Sequence, residues 1–170
     1  MKLQSASVSI GLSVLSNLFS VAPLPSLQFN SSRVFAQDAT SSCPLPEAIA
    51  VTFLNSQCQE VKLKKQKTFY RYYSSTENKY GRYLTTDRYK TNLEVIRNLA
   101  LNQEWGNKAT TILRVTLPAG TTIYQGIVAP QTPTKCYPGG GQQTFIQDSK
   151  DPNIKWVEGK NLIIESFSCP

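Results

Sequence analysis

Three consecutive glycines run into a polar pair and then an apolar stretch in Tyr137-Pro138-Gly139-Gly140-Gly141-Gln142-Gln143-Thr144-Phe145-Ile146. Glycines allow close backbone approach and φ values closed to other residues. Gln143 then falls where a loop enters a strand, so a firm element carries an amide that both donates and accepts hydrogen bonds. The alternative is a tight connection between two strands, since glycine clusters mostly mark turns.

No histidine occurs anywhere in the 170 residues. That excludes Ser-His and Cys-His nucleophilic machinery and the imidazole general base. Any chemistry therefore runs on amides, hydroxyls, carboxylates and arginine. The glycine block is neither a phosphate-binding loop ending in Gly-Lys-Ser/Thr nor a Gly-x-Gly-x-x-Gly dinucleotide turn, because Gln143-Thr144 stands where the last glycine belongs. A metal site is not expected: histidine ligands are absent, the cysteines are far apart, and Asp148 and Asp151 are too sparse for calcium. Trp105 and Trp156 read as core or rim anchors.

The formal net charge is +7, which favours anionic partners in general. Lys62, Lys64, Lys65 and Lys67 form the one dense basic run. A strand edge protected by lysines is preferred there over a nucleic-acid surface.

At the amino terminus Lys2 precedes an apolar, uncharged stretch from Val8 to Ala22. This reads as a signal peptide over 1–36, cut after Val34-Phe35-Ala36. As a membrane span it is too short and too polar, so the expected location is secreted or periplasmic, with no membrane association afterwards. All four cysteines, Cys43, Cys58, Cys136 and Cys169, lie beyond the cut. An even count in an exported chain favours two disulfides. Three pairings exist, and Cys43 with Cys58 and Cys136 with Cys169 is the one expected here.

The elements that position these residues follow from periodicity. Residues 37–66 read as an extension with one or two helical turns over Glu47 to Asn55, and the organised domain spans 67–170. Thr68 to Ser74, dense in aromatics, reads as a strand, and Gly81 to Thr85 as a short second one. Thr86 or Asp87 is the expected N-cap of a helix over Asn92 to Leu101. Thr110 to Leu117 and Thr122 to Val128 flank Pro118-Ala119-Gly120 and read as a hairpin. Gln143 to Gln147 and Asn161 to Phe167 complete about six strands. Strands that do not alternate regularly with helices argue an α+β class.

The blocks Tyr70-Arg71-Tyr72, Gly81-Arg82-Tyr83-Leu84-Thr85, Leu117-Pro118-Ala119-Gly120-Thr121, Gly126-Ile127-Val128-Ala129-Pro130 and Pro138-Gly139-Gly140-Gly141-Gln142-Gln143, taken in order, resemble the TNT-type NAD glycohydrolase domain of secreted necrotizing and polymorphic toxins. The resemblance covers about Thr68 to Glu158. It implies an ADP-ribosyltransferase-like fold, two small antiparallel sheets around a cleft that takes NAD, with NAD(P) as substrate and no cofactor. An immunity protein is the implied partner.

By the same resemblance Arg71 matches the arginine that holds the NAD phosphates, a role suited to a planar, always-charged fork. Arg82 assists it or faces solvent. Tyr83 is the stacking candidate beside nicotinamide, Thr85 a ribose contact, and Gly140 and Gly141 approach the substrate. Gln143 matches the functional glutamine. Breaking the nicotinamide–ribose bond passes through an oxocarbenium-like state with a neutral leaving group, for which a neutral amide orienting ribose and water suffices. ADP-ribosyl transfer to protein ranks below hydrolysis, because the nearest carboxylate after Gln143 is Asp148. The competing class is a disulfide-stapled binding module whose basic, tyrosine-rich surface holds a wall polymer or a protein. Convergence of Arg71, Tyr83 and Gln143 on one pocket separates the two.

Overall fold

Alternation decides the architecture. In the strand Lys67–Tyr73 (β2) and the strand Thr111–Leu117 (β4), Phe69, Leu113, Val115 and Leu117 are buried while Thr68 and Arg114 stay exposed, the period-two pattern of a sheet with one face on a core. The structure, a computed structural model, describes residues 42–169. The signal peptide expected over 1–36 lies outside the described residues.

Two antiparallel sheets form an α+β fold. The first is three-stranded in the order β2–β4–β7, with β7 at Lys155–Asn161. The second is four-stranded in the order β1–β5–β6–β3, with β1 at Gln59–Lys62, β5 at Thr122–Ile127, β6 at Gln142–Ile146 and β3 at Tyr83–Leu84. Phe69, Leu113, Val115 and Leu117 from the first sheet meet Leu84, Ile123 and Ile146 from the second in one buried cluster. Three short helices accompany the sheets: α1 at Glu47–Ala50, α2 at Thr76–Lys79 and α3 at Asn92–Asn98.

Three local expectations are corrected. β4 and β5 are not a hairpin. Both edges of β4 are taken, by β2 over seven paired positions and by β7, so the Pro118-Ala119-Gly120 turn is a corner that sends the chain to the other sheet. Gly120 sits at φ 86° and its amide donates to the Leu63 carbonyl.

The last strand is Lys155–Asn161 rather than Asn161 to Phe167. An edge strand exposed along nearly its whole length carries little hydrophobic signal. The apolar Leu162-Ile163-Ile164 instead leaves the sheet, burying Leu162 and docking against the start of α3, where Asn92 exchanges hydrogen bonds with the Glu165 backbone.

The helix N-cap is Thr91, not Thr86 or Asp87. Thr91 Oγ1 accepts from the Glu94 amide while Glu94 Oε2 accepts from the Thr91 amide, a reciprocal capping box. The Asp87 carboxylate is engaged elsewhere, as described below.

Residues 42–66, read from sequence as an extension, supply β1 to the edge of the four-stranded sheet. Cys43–Cys58 and Cys136–Cys169 are both disulfide-bonded, the pairing expected. The first bridge closes the loop that carries α1 and is buried with Leu45, Phe53, Tyr124 and Phe145. Among the described residues no helix is long and apolar enough to cross a membrane, and no group of acidic residues and cysteines is arranged to hold a metal ion.

Candidate functional site

A cavity of about 330 Å³ opens between the sheets, with Tyr70, Arg71 and Tyr72 of β2, Tyr83 to Thr85, α3 and Gln142-Gln143 in its wall. That volume is at the small end of the ~300–1,000 Å³ usual for ligand sites. Among the described residues that line it, Arg71 is the only charged one, and none is a carboxylate.

Arg71 reaches that wall from the middle of β2. Its Nε donates to the Lys79 carbonyl at 3.0 Å, NH1 to the Tyr83 carbonyl at 3.0 Å and NH2 to the Asn78 carbonyl at 2.8 Å. The guanidinium thus gathers the end of α2 and the start of β3 around itself. Gly81 is required beside it, because a Cβ there would overlap the guanidinium. Burial without a carboxylate partner pushes its pKa down to about 10, so it stays charged at neutral pH. A cation solvated only by carbonyl dipoles is costly, and an anion in the cavity would offset that cost through the donors left over from the fork's five.

Gln143 opens from the other sheet. Its register partner is Gly126, where a Cβ would come within 2.8 Å of the Phe53 ring and of the Gln57 carbonyl. The segment after α1 therefore lies directly over β5, and brings Thr52 to the cavity wall. Gln143 Nε2 donates to Thr52 Oγ1 at 2.8 Å and to the Thr52 carbonyl at 3.3 Å. A carbonyl can only accept, so this contact fixes the amide orientation. Oε1 is left as an acceptor with no hydrogen bond to a described residue, on a residue only 8% exposed.

The glycines do a different job from the one expected. Gly139 N–H donates to the Arg97 carbonyl, Gly141 N–H to the Asn98 carbonyl and Gly140 N–H to the Val128 carbonyl. Gly139 and Gly140 sit at φ 70° and 92°, and a Cβ on Gly141 would come within 2.6 Å of Tyr89 Oη. The block thus closes the C-terminal end of α3, whose last carbonyls otherwise lack partners, and delivers the chain into β6. Neither Gly140 nor Gly141 is among the cavity's lining residues.

Asp87 locks the same junction. One carboxylate oxygen, Oδ2, accepts from the Gln142 amide at 2.8 Å and from Tyr89 Oη at 2.9 Å. Burial, then the Asp87 hydrogen bond, raises the Tyr89 pKa, so the phenol remains a donor to the carboxylate. Tyr72 Oη, pushed up to about 12 mainly by burial, accepts from the Tyr89 amide and donates to the Asp87 carbonyl.

Of the remaining expected residues, Thr85 lines the cavity at 1% exposure, its Oγ1 accepting from the Asp87 amide at 3.0 Å. Tyr83 lines it too, but its ring tilts against Phe145 at 5.2 Å and joins the core cluster there. Arg82 is exposed, its guanidinium 5.0 Å above the Phe145 ring, and does not line the cavity. Thr52, Asn78, Gln131 and Trp105 line it without having been expected there as site residues. Thr52 carried no sequence signal, being one polar residue in a short helical stretch. Trp105 fits the rim-anchor reading.

No family model matches the chain, and no curated protein matches it. Among solved structures the chain is similar to Tne2 in its complex with Tni2, with a TM-score of 0.55 and 18% identity over 66% of this chain and 99% of that one. The fold is therefore one that Tne2 shares.

Proposed function

We propose that this protein is a secreted NAD(P) glycohydrolase that cleaves the nicotinamide–ribose bond to give ADP-ribose and nicotinamide, acting as a toxin or effector. The observation that carries the reading is the convergence of Arg71, Thr85 and Gln143, from separate segments of the chain, on one cavity whose described lining residues include a single cation and no carboxylate. The sequence resemblance to TNT-type domains and the fold shared with Tne2, itself solved bound to Tni2, support the same reading. They also support a protein partner that restrains the activity. Two disulfides among the described residues suit an exported chain.

In the proposed reaction Arg71 holds the pyrophosphate through its remaining donors. The C–N bond breaks with its electron pair leaving on nicotinamide, so positive charge develops on the ribose. Gln143 Oε1 presents the negative end of an anchored dipole to a ribose hydroxyl or the attacking water, where a preorganised acceptor is worth most. Water adds to the anomeric carbon and its proton passes to solvent. Absence of a carboxylate among the described lining residues favours water over a protein acceptor, hence hydrolysis over transfer.

The test is direct. Purified protein incubated with NAD is expected to release nicotinamide and ADP-ribose in equal amounts, resolved by chromatography. No release from NAD or NADP, with intact fold by circular dichroism, would leave the disulfide-stapled binding module as the better reading.

A further inference from the structure

Trp105 is a large aromatic residue that the fold leaves 60% exposed while placing it in the cavity wall. Nothing about its backbone is loose. It sits in a single 3₁₀ turn over Gln103–Trp105, capped by Asn102, whose side chain accepts from the Glu104 amide at 3.0 Å. Gly106 closes the turn in the left-handed region at φ 74°. Gln103 Nε2 donates to the carbonyls of Leu101 and Asn107 on either side of the turn, and Tyr137 Oη accepts from the Gln103 amide. Ser74, at the end of β2, donates to the Gly106 carbonyl and accepts from the Lys108 amide. Hydrogen bonds brace the turn on both sides, and the indole at its tip has no ring partner among the described aromatic contacts.

A solvent-facing indole carried on a braced turn in a cavity wall is suited to one contact, the face of a planar ring, since an aromatic side chain has only two torsions and loses little entropy on stacking. We infer that Trp105 is the platform on which the purine ring of the dinucleotide stacks, a binding role that rests on the glycohydrolase reading above. Two features favour the purine over the nicotinamide. The reacting bond belongs beside Gln143, which is 8% exposed, so the ring that does not react takes the open end. A pyridinium on the indole would also gain a cation–π attraction that disappears as nicotinamide leaves neutral. That interaction would stabilise the ground state over the transition state and slow the reaction. The purine keeps its charge throughout, so its stacking strengthens binding without opposing catalysis.

The test uses the full protein carrying Trp156→Phe, which leaves Trp105 as its one tryptophan and lies outside the cavity wall. Titration with AMP is expected to quench the indole fluorescence saturably, and titration with nicotinamide to leave it unchanged. Trp105→Ala is expected to raise KM for NAD on the order of 10- to 100-fold with kcat within a factor of about three. Trp105→Phe, which keeps a ring, should recover most of the loss. If the protein hydrolyses NAD and Trp105→Ala leaves KM unchanged, or if nicotinamide rather than AMP quenches the indole, the purine platform falls while the hydrolase stands. If AMP quenches Trp105 but NAD is not cleaved, the platform stands and the hydrolase reading falls.

Discussion

Two polar residues of the cavity wall, Arg71 from one sheet and Gln143 from the other, are held in opposite ways. Arg71 uses its fork to bind its own protein, with three backbone carbonyls from Asn78 to Tyr83 gathered on the guanidinium. Gln143 uses one end of its amide on Thr52, and the other end has no hydrogen bond to a described residue. Arg71 is thus a structural centre that also offers charge, whereas Gln143 is an anchored acceptor whose structural share is small. A residue that lines a site can be dominated by either role, and the hydrogen-bond partners separate them where position in the cavity does not.

The sharpest break of this comparison is Gln143→Ala. It removes the free acceptor and the two hydrogen bonds to the single residue Thr52, so kcat for NAD cleavage is expected to fall on the order of 10²–10³ with little change in KM. The unfolding midpoint in urea should move little. A variant that hydrolyses NAD as fast as the parent would reduce Gln143 to a strand-start residue.

Arg71→Lys comes next. An ammonium has no planar fork and cannot reproduce its geometry toward three carbonyls, so stability is expected to drop by about 1.5–3 kcal/mol, the range for hydrogen bonds to a charged group. KM for NAD is expected to rise about tenfold or more in the same variant, since retained charge does not replace bidentate phosphate contact. Urea unfolding alongside steady-state kinetics reads both. Lost affinity with stability untouched would make Arg71 a ligand residue first, contrary to the comparison.

The smallest effect is on pH dependence. Burial lowers the Arg71 pKa to about 10. Below that value the guanidinium is charged and attracts phosphate; as pH rises through it the attraction is lost, so kcat/KM for NAD should show an alkaline limb near pH 10. Stability moves the other way. Between the folded and the higher unfolded pKa the unfolded chain binds more protons, so the Arg71 contribution favours folding increasingly as pH rises through about 10. The limb is read from a pH profile of kcat/KM, and in Arg71→Lys it is expected to move to lower pH, because the same burial acts on an ammonium whose ordinary pKa is already only about 10.4. An unchanged limb would assign it to another base.

Much of the scaffold was legible in local patterns. The aromatic alternation of β2, the β-branched run of β4 and the strand after the glycines appear within a residue or two of where they read. The cysteine pairing came out as expected as well. Two of the three failures share one cause, that pairing partners are non-local; the helix N-cap is the exception, since Thr91 and Glu94 form a capping box three residues apart. A proline–glycine turn between two strands looks the same whether it closes a hairpin or turns a corner between sheets, and only the occupation of both β4 edges decides for the corner. An exposed edge strand such as β7 has no burial to write a pattern, while Leu162-Ile163-Ile164 is apolar yet leaves Ile163 and Ile164 exposed.

What the sequence determined by itself is the chemistry on offer: no histidine, a rare arginine in an aromatic strand, a glutamine after glycines, and four cysteines. Composition and order are local properties, and they need no fold to be read. Tertiary structure decided how each group is employed. It turned the glycine amides onto the end of α3, tilted Tyr83 into the core, brought Thr52 against Gln143 across a separation of 91 residues and left Trp105 bare in the cavity wall. The reason is physical: a backbone donor, a ring face or an amide end goes to whatever partner packing brings within reach, and packing is set by contacts far apart in the chain.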